Sequence, residues 1–224
     1  MSRVARIIGV DYPHHVIQRG NNRQTIFFDD QDRIVYLNFL RKYHQECHCV
    51  IHAYCLMTNH VHLLLTPKQE EAMSKFMQKV SLCYTQYVNK KYKRTGRLWE
   101  CRYYSSLIEK EAYLWAVCKY IERNSVRAKI VHRPEEYQWS SISQRCLLSK
   151  KNIIQRIWSS DYEHEEYMRY LNEPEKEPLI GQIRKSILKG MPTGSEDFMT
   201  QISRVLGLRI SHRPRGRPWK KLMG

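Results

Sequence analysis

Two strand-like runs, VIHAYCLM (50–57) and HVHLLL (60–65), are separated by only two residues, Thr58 and Asn59. So short a link between β-type segments suits a tight antiparallel connection. Side chains alternate along a strand, so His60, His62 and Leu64 share one face of the second run, and Val61, Leu63 and Leu65 share the other. The two imidazoles therefore point the same way. Taken alone, an H-x-H pair fits a metal site and fits equally well two polar residues on the open face of a strand.

The flanking sequence supplies the rest of an α+β pattern. HVIQ (15–18) reads as a short strand, followed by the cationic turn RGNNRQ, in which Arg19 and Arg23 flank a polar loop suited to phosphate. Asp29 and Asp30 precede a helix in which Ile34, Leu37 and Leu40 recur at helical spacing. Residues 70–91 lack Pro and Gly and carry Met73, Phe76, Met77, Val80, Tyr84, Tyr87 and Val88 at spacings of three and four, which predicts an amphipathic helix with an aromatic core stripe. A basic loop (90–97) leads into strand-like LWECRYYSSLIE (98–109), and a third helix begins near Glu109 and runs through AYLWAVCKYIERN. The order strand, helix, strand, strand, helix, strand, helix predicts a ferredoxin-like, RRM-like antiparallel sheet with helices on it, spanning 1–145. After Trp139-Ser140-Ser141 the chain turns polar and acidic, predicting a helical appendage over 146–208. Residues 209–224 form a Pro-punctuated basic arm carrying Arg213, Arg215 and Arg217. No internal repeat is evident.

Thirty-eight Lys and Arg against 22 Asp and Glu leave a net charge of +16, a surplus that favours a polyanionic partner, with nucleic acid foremost. The N-terminal residues hold no apolar core of signal-peptide length and no window approaches a membrane helix, so a cytoplasmic location without membrane contact is expected. Seven cysteines without a CxxC pair favour reduced thiols over disulfides. Cys47-His48-Cys49 is a weak zinc candidate, since no second pair at finger-like spacing follows it.

The third helix carries the remaining chemistry. Tyr120 and Asn124, four residues apart, lie about 40° from one another around a continuous helix, and Tyr113, Ala116 and Arg127 fall near the same face. Leu114, Val117 and Ile121 form an adjoining stripe that would pack on the sheet and leave the phenol, amide and guanidinium presented on the other side. A tyrosine titrating near 10 is a poor nucleophile and needs help in losing its proton and in neutralising charge on an attacked phosphodiester. Two imidazoles and an amide oxygen make a ligand set with open positions, suited to Mn²⁺ or Mg²⁺. The plainer readings are that Tyr120 packs, Asn124 caps the helix, and Arg19, Arg23, Arg97, Arg102, Arg123 and Arg127 are solvated charges rather than phosphate contacts. Trp99 suits either base stacking or a core position.

Taken together, AYCLMTNHVHLLL and YIERNSVRA, preceded by HVIQRGNNRQ and followed by WSS, resemble the IS200-like tyrosine transposases, specifically the REP-associated tyrosine transposases. The resemblance covers about residues 10–145, and the basic tail is similar to the C-terminal ends of that subgroup. It implies a divalent metal, Mg²⁺ or Mn²⁺, on His60 and His62 with Asn124 as a further ligand, and Tyr120 as the nucleophile. It further implies cleavage and joining of single-stranded, hairpin-forming repetitive palindromes through a 5′-phosphotyrosine, by a monomer or by a homodimer that exchanges active-site helices. Two positions depart from the family pattern. Thr58 stands where proline is usual before Asn59, and Ser125 stands where proline usually follows Asn124, so the helix is expected to be free to run on and to displace Arg127. Two other mechanisms fit the same composition. One is a non-catalytic DNA-binding protein or repressor using the basic tail and SEDFMTQISRVLGLRIS, a faint helix-turn-helix; the other is a hydrolase in which water attacks.

Overall fold

The structure is a computed structural model and describes residues 6–146 and 153–207. Four strands, β1 (His14–Arg19), β2 (Cys49–Met57), β3 (His60–Pro67) and β4 (Tyr104–Leu107), form one antiparallel sheet in the order β2-β3-β1-β4. Helix α1 (Asp30–Glu46) links β1 to β2, α2 (Ala72–Lys91) links β3 to β4, and α3 (Lys110–Glu122) follows β4. This is the expected ferredoxin-like α+β arrangement, with the β2–β3 hairpin closed by Thr58 and Asn59 as its spacing predicts.

The sheet is buried on both faces. Val16, Tyr54, Leu56, Val61, Leu63 and Leu65 pack with Tyr36, Leu40, Phe76, Val80 and Tyr84 of α1 and α2. On the opposite face Ala53, Cys55, Met57 and Leu64 pack against Val117, Cys118, Tyr120 and Ile121 of α3. One irregularity keeps both faces apolar. Ile51 pairs with Leu65 but Ala53 pairs with Leu64, so a bulge at His52 shifts the alternation by one residue and turns Ala53, Cys55 and Met57 toward α3.

Several elements depart from the sequence expectation, each for a local reason. In α1 the buried face is Tyr36, Leu40 and Tyr43, whereas Ile34 is 42% exposed. The helix is rotated by its start. Asp29 caps it, and the buried Asp32 carboxylate accepts bonds from the backbone N–H of Phe28 (2.8 Å), Lys91 Nζ (2.7 Å) and the Tyr92 hydroxyl (2.9 Å), pinning that turn against the end of α2. Of the strand-like run 98–109 only four residues pair as β4. Leu98 and Trp99 turn into the core instead, where the Trp99 indole N–H donates to the Ser81 carbonyl (3.2 Å) and its ring lies 6.1 Å from that of Tyr84, so Trp99 is a core residue.

The third helix does not run on. It ends at Glu122, Arg123 leaves helical geometry (φ −88°, ψ 8°), and a separate turn, α4 (Asn124–Arg127), follows. The break needs no proline. Ser125 is fully buried, and the Arg123 guanidinium is drawn to the Leu171 carbonyl (2.9 Å), fixing the chain direction at that point.

A short helix, α5 (Ser141–Cys146), ends the first region, and among the described residues of the appendage lie α6 (Asp161–Asn172), α7 (Glu177–Lys189) and α8 (Glu196–Val205). Tyr167, Leu171, Ile180 and Ile183 share one apolar cluster with α3, so α6 and α7 cover the back of that helix. Beneath them Glu122, fully buried, accepts bonds from Arg145 Nε (2.7 Å), the Ser141 hydroxyl (2.6 Å) and the Tyr167 hydroxyl (2.6 Å). This network joins the WSS segment, α3 and α6. Of the suggested helix-turn-helix, α8 is a helix, and any second helix falls beyond Gly207, outside the described residues, as do Arg213, Arg215 and Arg217.

All seven cysteines are free. Cys47 and Cys49 are buried in the α1–β2 turn, and burial pushes the Cys49 thiol up to about 12; no group of three His, Cys, Asp or Glu side chains among the described residues converges as a metal site. No helix among the described residues is long and apolar enough to cross a membrane.

Candidate active site between the sheet and the third helix

Because directly paired residues of antiparallel strands share a face, the registers assemble the site: Arg19 lies opposite His60, Ile17 opposite His62 and His15 opposite Leu64 on β1, and Met57 and Cys55 flank the two histidines on β2. The His60 and His62 rings are 5.1 Å apart, centre to centre. Helix α3 lies over this face. The Tyr120 ring meets His62 edge-on at 5.9 Å and His15 edge-on at 5.5 Å. Tyr120 is only 6% exposed, so it is enclosed between helix and sheet, on the side of α3 that holds Val117 and Ile121, and not presented on an opposite, open side as a simple helical projection suggests.

Each imidazole is oriented by a partner on Nδ1. Asn59 Nδ2 donates to the Arg23 carbonyl (3.1 Å), which leaves Asn59 Oδ1 to accept from His60 Nδ1–H (2.7 Å) and leaves the lone pair of His60 on Nε2. His62 Nδ1 lies 2.9 Å from His15 Nε2, with the two rings stacked 5.2 Å apart. Burial holds His60 down to about 4, assisted by the charge of Arg19. It holds His15 down to about 3 with help from Arg127, and it holds His62 well below the usual imidazole range, with His15, His60, Arg127 and Arg19 adding to the effect. All three rings are therefore neutral near pH 7, the state in which an imidazole nitrogen can ligate a cation.

The expected residues divide by position. Arg127 stacks its guanidinium 4.1 Å from the centre of the Tyr120 ring and donates to the Tyr120 carbonyl. Its other nitrogen pairs with Glu175 at 2.6 Å, and Arg123 also approaches Glu175, at 3.7 Å. Both arginines are thus engaged by the segment between α6 and α7. Arg19 is half-buried beside His60, while Arg23, Arg97 and Arg102 are exposed on the loops that border this end of the sheet. Asn124 is half-buried at the start of α4, past the break at Arg123, so the 40° spacing from Tyr120 derived for a continuous helix does not describe it.

Sequence reasoning did not single out His15, Asn59 or Glu175. HVIQ was readable as a strand, and alternation puts His15 and Arg19 on one face. The β1–β3 register that brings His15 to His62 is a long-range property, and the same holds for Glu175.

The IS200-like transposase family model matches residues 10–124, which includes β1, the hairpin and α3. Among solved structures, a REP-associated tyrosine transposase bound to a REP hairpin superposes with a TM-score of 0.57 at 15% identity, covering 71% of this chain and 95% of that one. A transposase candidate from Deinococcus radiodurans R1 gives a TM-score of 0.38 at 20% identity, covering 55% of this chain and 97% of that one. Comparison with curated proteins finds no significant match. With the family model covering more than half of the sequence, and with a fold shared with a REP-associated tyrosine transposase, this chain belongs to the IS200-like transposase family.

Proposed function

We propose that this transposase is a metal-dependent single-strand DNA endonuclease and strand transferase acting on hairpin-forming repetitive palindromes, with Tyr120 as its nucleophile. The observation that carries this reading is the packing of the Tyr120 ring against His62 while Arg127 lies on its face. A phenol, two neutral imidazoles and a guanidinium meet between α3 and an end of the sheet bordered by Arg19, Arg23, Arg97 and Arg102. Such a border suits a phosphate backbone.

The donor set fits a divalent metal, Mg²⁺ or Mn²⁺. His60 has its proton directed to Asn59 and its Nε2 lone pair free, and His62 is its neighbour on the same face, with Asn124 the oxygen donor that the family resemblance adds. When bound, such an ion supplies Lewis-acid polarisation of the scissile phosphate. The residues of the chain do the rest. Tyr120 gives up its phenolic proton and its oxygen bonds to phosphorus; the P–O3′ bond breaks, and the 3′ oxygen takes a proton and leaves as a hydroxyl. The 5′-phosphotyrosine keeps one phosphodiester bond in place of another, so attack by a 3′-hydroxyl reverses the step without ATP. Arg127 and Arg19 offset the phosphate charge.

The test is incubation of a 5′- or 3′-labelled single-stranded hairpin with protein and Mn²⁺ or Mg²⁺, followed by denaturing electrophoresis. A covalent adduct on the 5′-phosphate side, absent with EDTA and absent in Tyr120→Phe, is expected. Cleavage without an adduct that persists in Tyr120→Phe would assign the chemistry to water, and tight metal-independent binding without cleavage would leave a DNA-binding protein.

A further inference from the structure

Among the side chains of this site, His15 has no assigned part. It is fully buried, stacked on His62 and edge-on to Tyr120, and its Nδ1 is buried without a hydrogen-bond partner. Its Nε2 lies 2.9 Å from His62 Nδ1. The contact is a single hydrogen bond, and it permits two arrangements. In one, His15 Nε2–H donates and His62 carries its proton on Nε2, closed to a cation. In the other, His62 Nδ1–H donates to His15 Nε2 and the His62 lone pair lies on Nε2, as it does on His60.

We propose that His15 is a positioning residue for the metal centre, accepting the His62 Nδ1 proton so that His62 offers Nε2 alongside His60. The inference rests on the metal reading above. Two further features support it. Asn59 performs the equivalent service for His60 by the same kind of bond, so both imidazoles of the pair are held from Nδ1. Ligating histidines commonly donate their other ring nitrogen to a polar partner, and loss of that partner weakens metal affinity about 10–100-fold. In that arrangement the proton of His15 itself sits on Nδ1, which is buried without a partner.

The experiment measures Mn²⁺ binding by electron paramagnetic resonance of the free ion and by calorimetry for wild type, His15→Phe, His15→Gln and His60→Ala, with hairpin DNA binding in EDTA as the measure of an intact fold. Phe keeps the ring and removes the acceptor, whereas Gln restores an oxygen. His15→Phe is expected to bind Mn²⁺ about 10–100-fold more weakly, His15→Gln to recover most of that loss, and both to bind hairpin DNA in EDTA like wild type. ¹⁵N shifts of the His62 ring in the Mg²⁺-saturated protein should report protonation on Nδ1 in wild type and His15→Gln. Unchanged Mn²⁺ affinity in His15→Phe, or equal losses in Phe and Gln, overturns the role of His15 while leaving the metal reading intact. Absence of Mn²⁺ binding by wild type, or no loss in His60→Ala, overturns the metal reading and this inference with it.

Discussion

Glu122 sits two residues after Tyr120, inside the YIERN motif, where a carboxylate is easily taken for a catalytic group. Its surroundings assign it to the scaffold. The side chain is 0% exposed and that of Arg145 is 1% exposed, and both carboxylate oxygens are bonded, to Arg145, Ser141 and Tyr167. Arg145 also donates to the His52 carbonyl at the bulge of β2, so one ion pair ties α3 to the sheet and to α6. Glu122→Ala leaves the guanidinium buried without a counter-charge and two hydroxyls without an acceptor. Breaking such a pair from one side costs about 3–5 kcal/mol, a large part of the ~5–15 kcal/mol that stabilises a typical protein. At about 2–4 °C per kcal/mol for a chain of this size, Tm should fall by roughly 6–20 °C. Replacing both partners by apolar residues, as in Glu122→Leu with Arg145→Met, removes the stranded charge and should recover much of the loss. Urea and thermal unfolding of the single and double variants measure this directly. A single variant within about 1 kcal/mol of wild type, or a double variant as unstable as the sum of the singles, would refute the picture of a dry ion pair.

Glu175→Gln should free Arg127 and Arg123 for phosphate: hairpin affinity rises, and the salt dependence of log K steepens by roughly 0.7 for each phosphate gained on a single strand. An unchanged slope in a salt titration would mean that Glu175 does not compete with DNA. His14 and His52 are both held at about 4, chiefly by burial, against an unfolded value of 6.5. The unfolded chain therefore binds more protons between those values, and stability falls as pH drops from about 6.5 to about 4, by up to about 1.4 kcal/mol per pH unit for each histidine. Urea midpoints measured across that range, flat where this slope is expected, would contradict the burial of the two rings.

What the sequence made legible was periodic. Alternation in HVHLLL, the two-residue link at Thr58 and Asn59, and the three- and four-residue spacing in α2 are local signals, and all survive in the structure because tertiary packing reinforces them. The failures are places where long-range contacts overrule a local pattern. Ile34 belongs by spacing to the apolar stripe of α1, yet the Asp32–Lys91 contact sets the rotation of that helix. Residues 98–103 have strand composition, yet Trp99 has more to gain inside the aromatic cluster of Tyr36 and Tyr84 than on a strand.

The site was half legible for the same reason. His60 and His62 are a local pair, whereas the partners on their Nδ1 atoms come from a turn residue and from a strand 47 residues earlier. Arg127 gives the sharpest case. Helical arithmetic put it near the face of Tyr120, whereas the missing proline at position 125 suggested that a helix running on would displace it. Instead the break at Arg123 redirects the chain, and the guanidinium comes to rest on the Tyr120 ring with Glu175 as its counter-charge. A cation held between the proposed nucleophile and a carboxylate of the appendage has two possible anionic partners, and a DNA phosphate can take it only by displacing Glu175. The appendage is thereby tied, through Glu175, to the condition of the site that it borders.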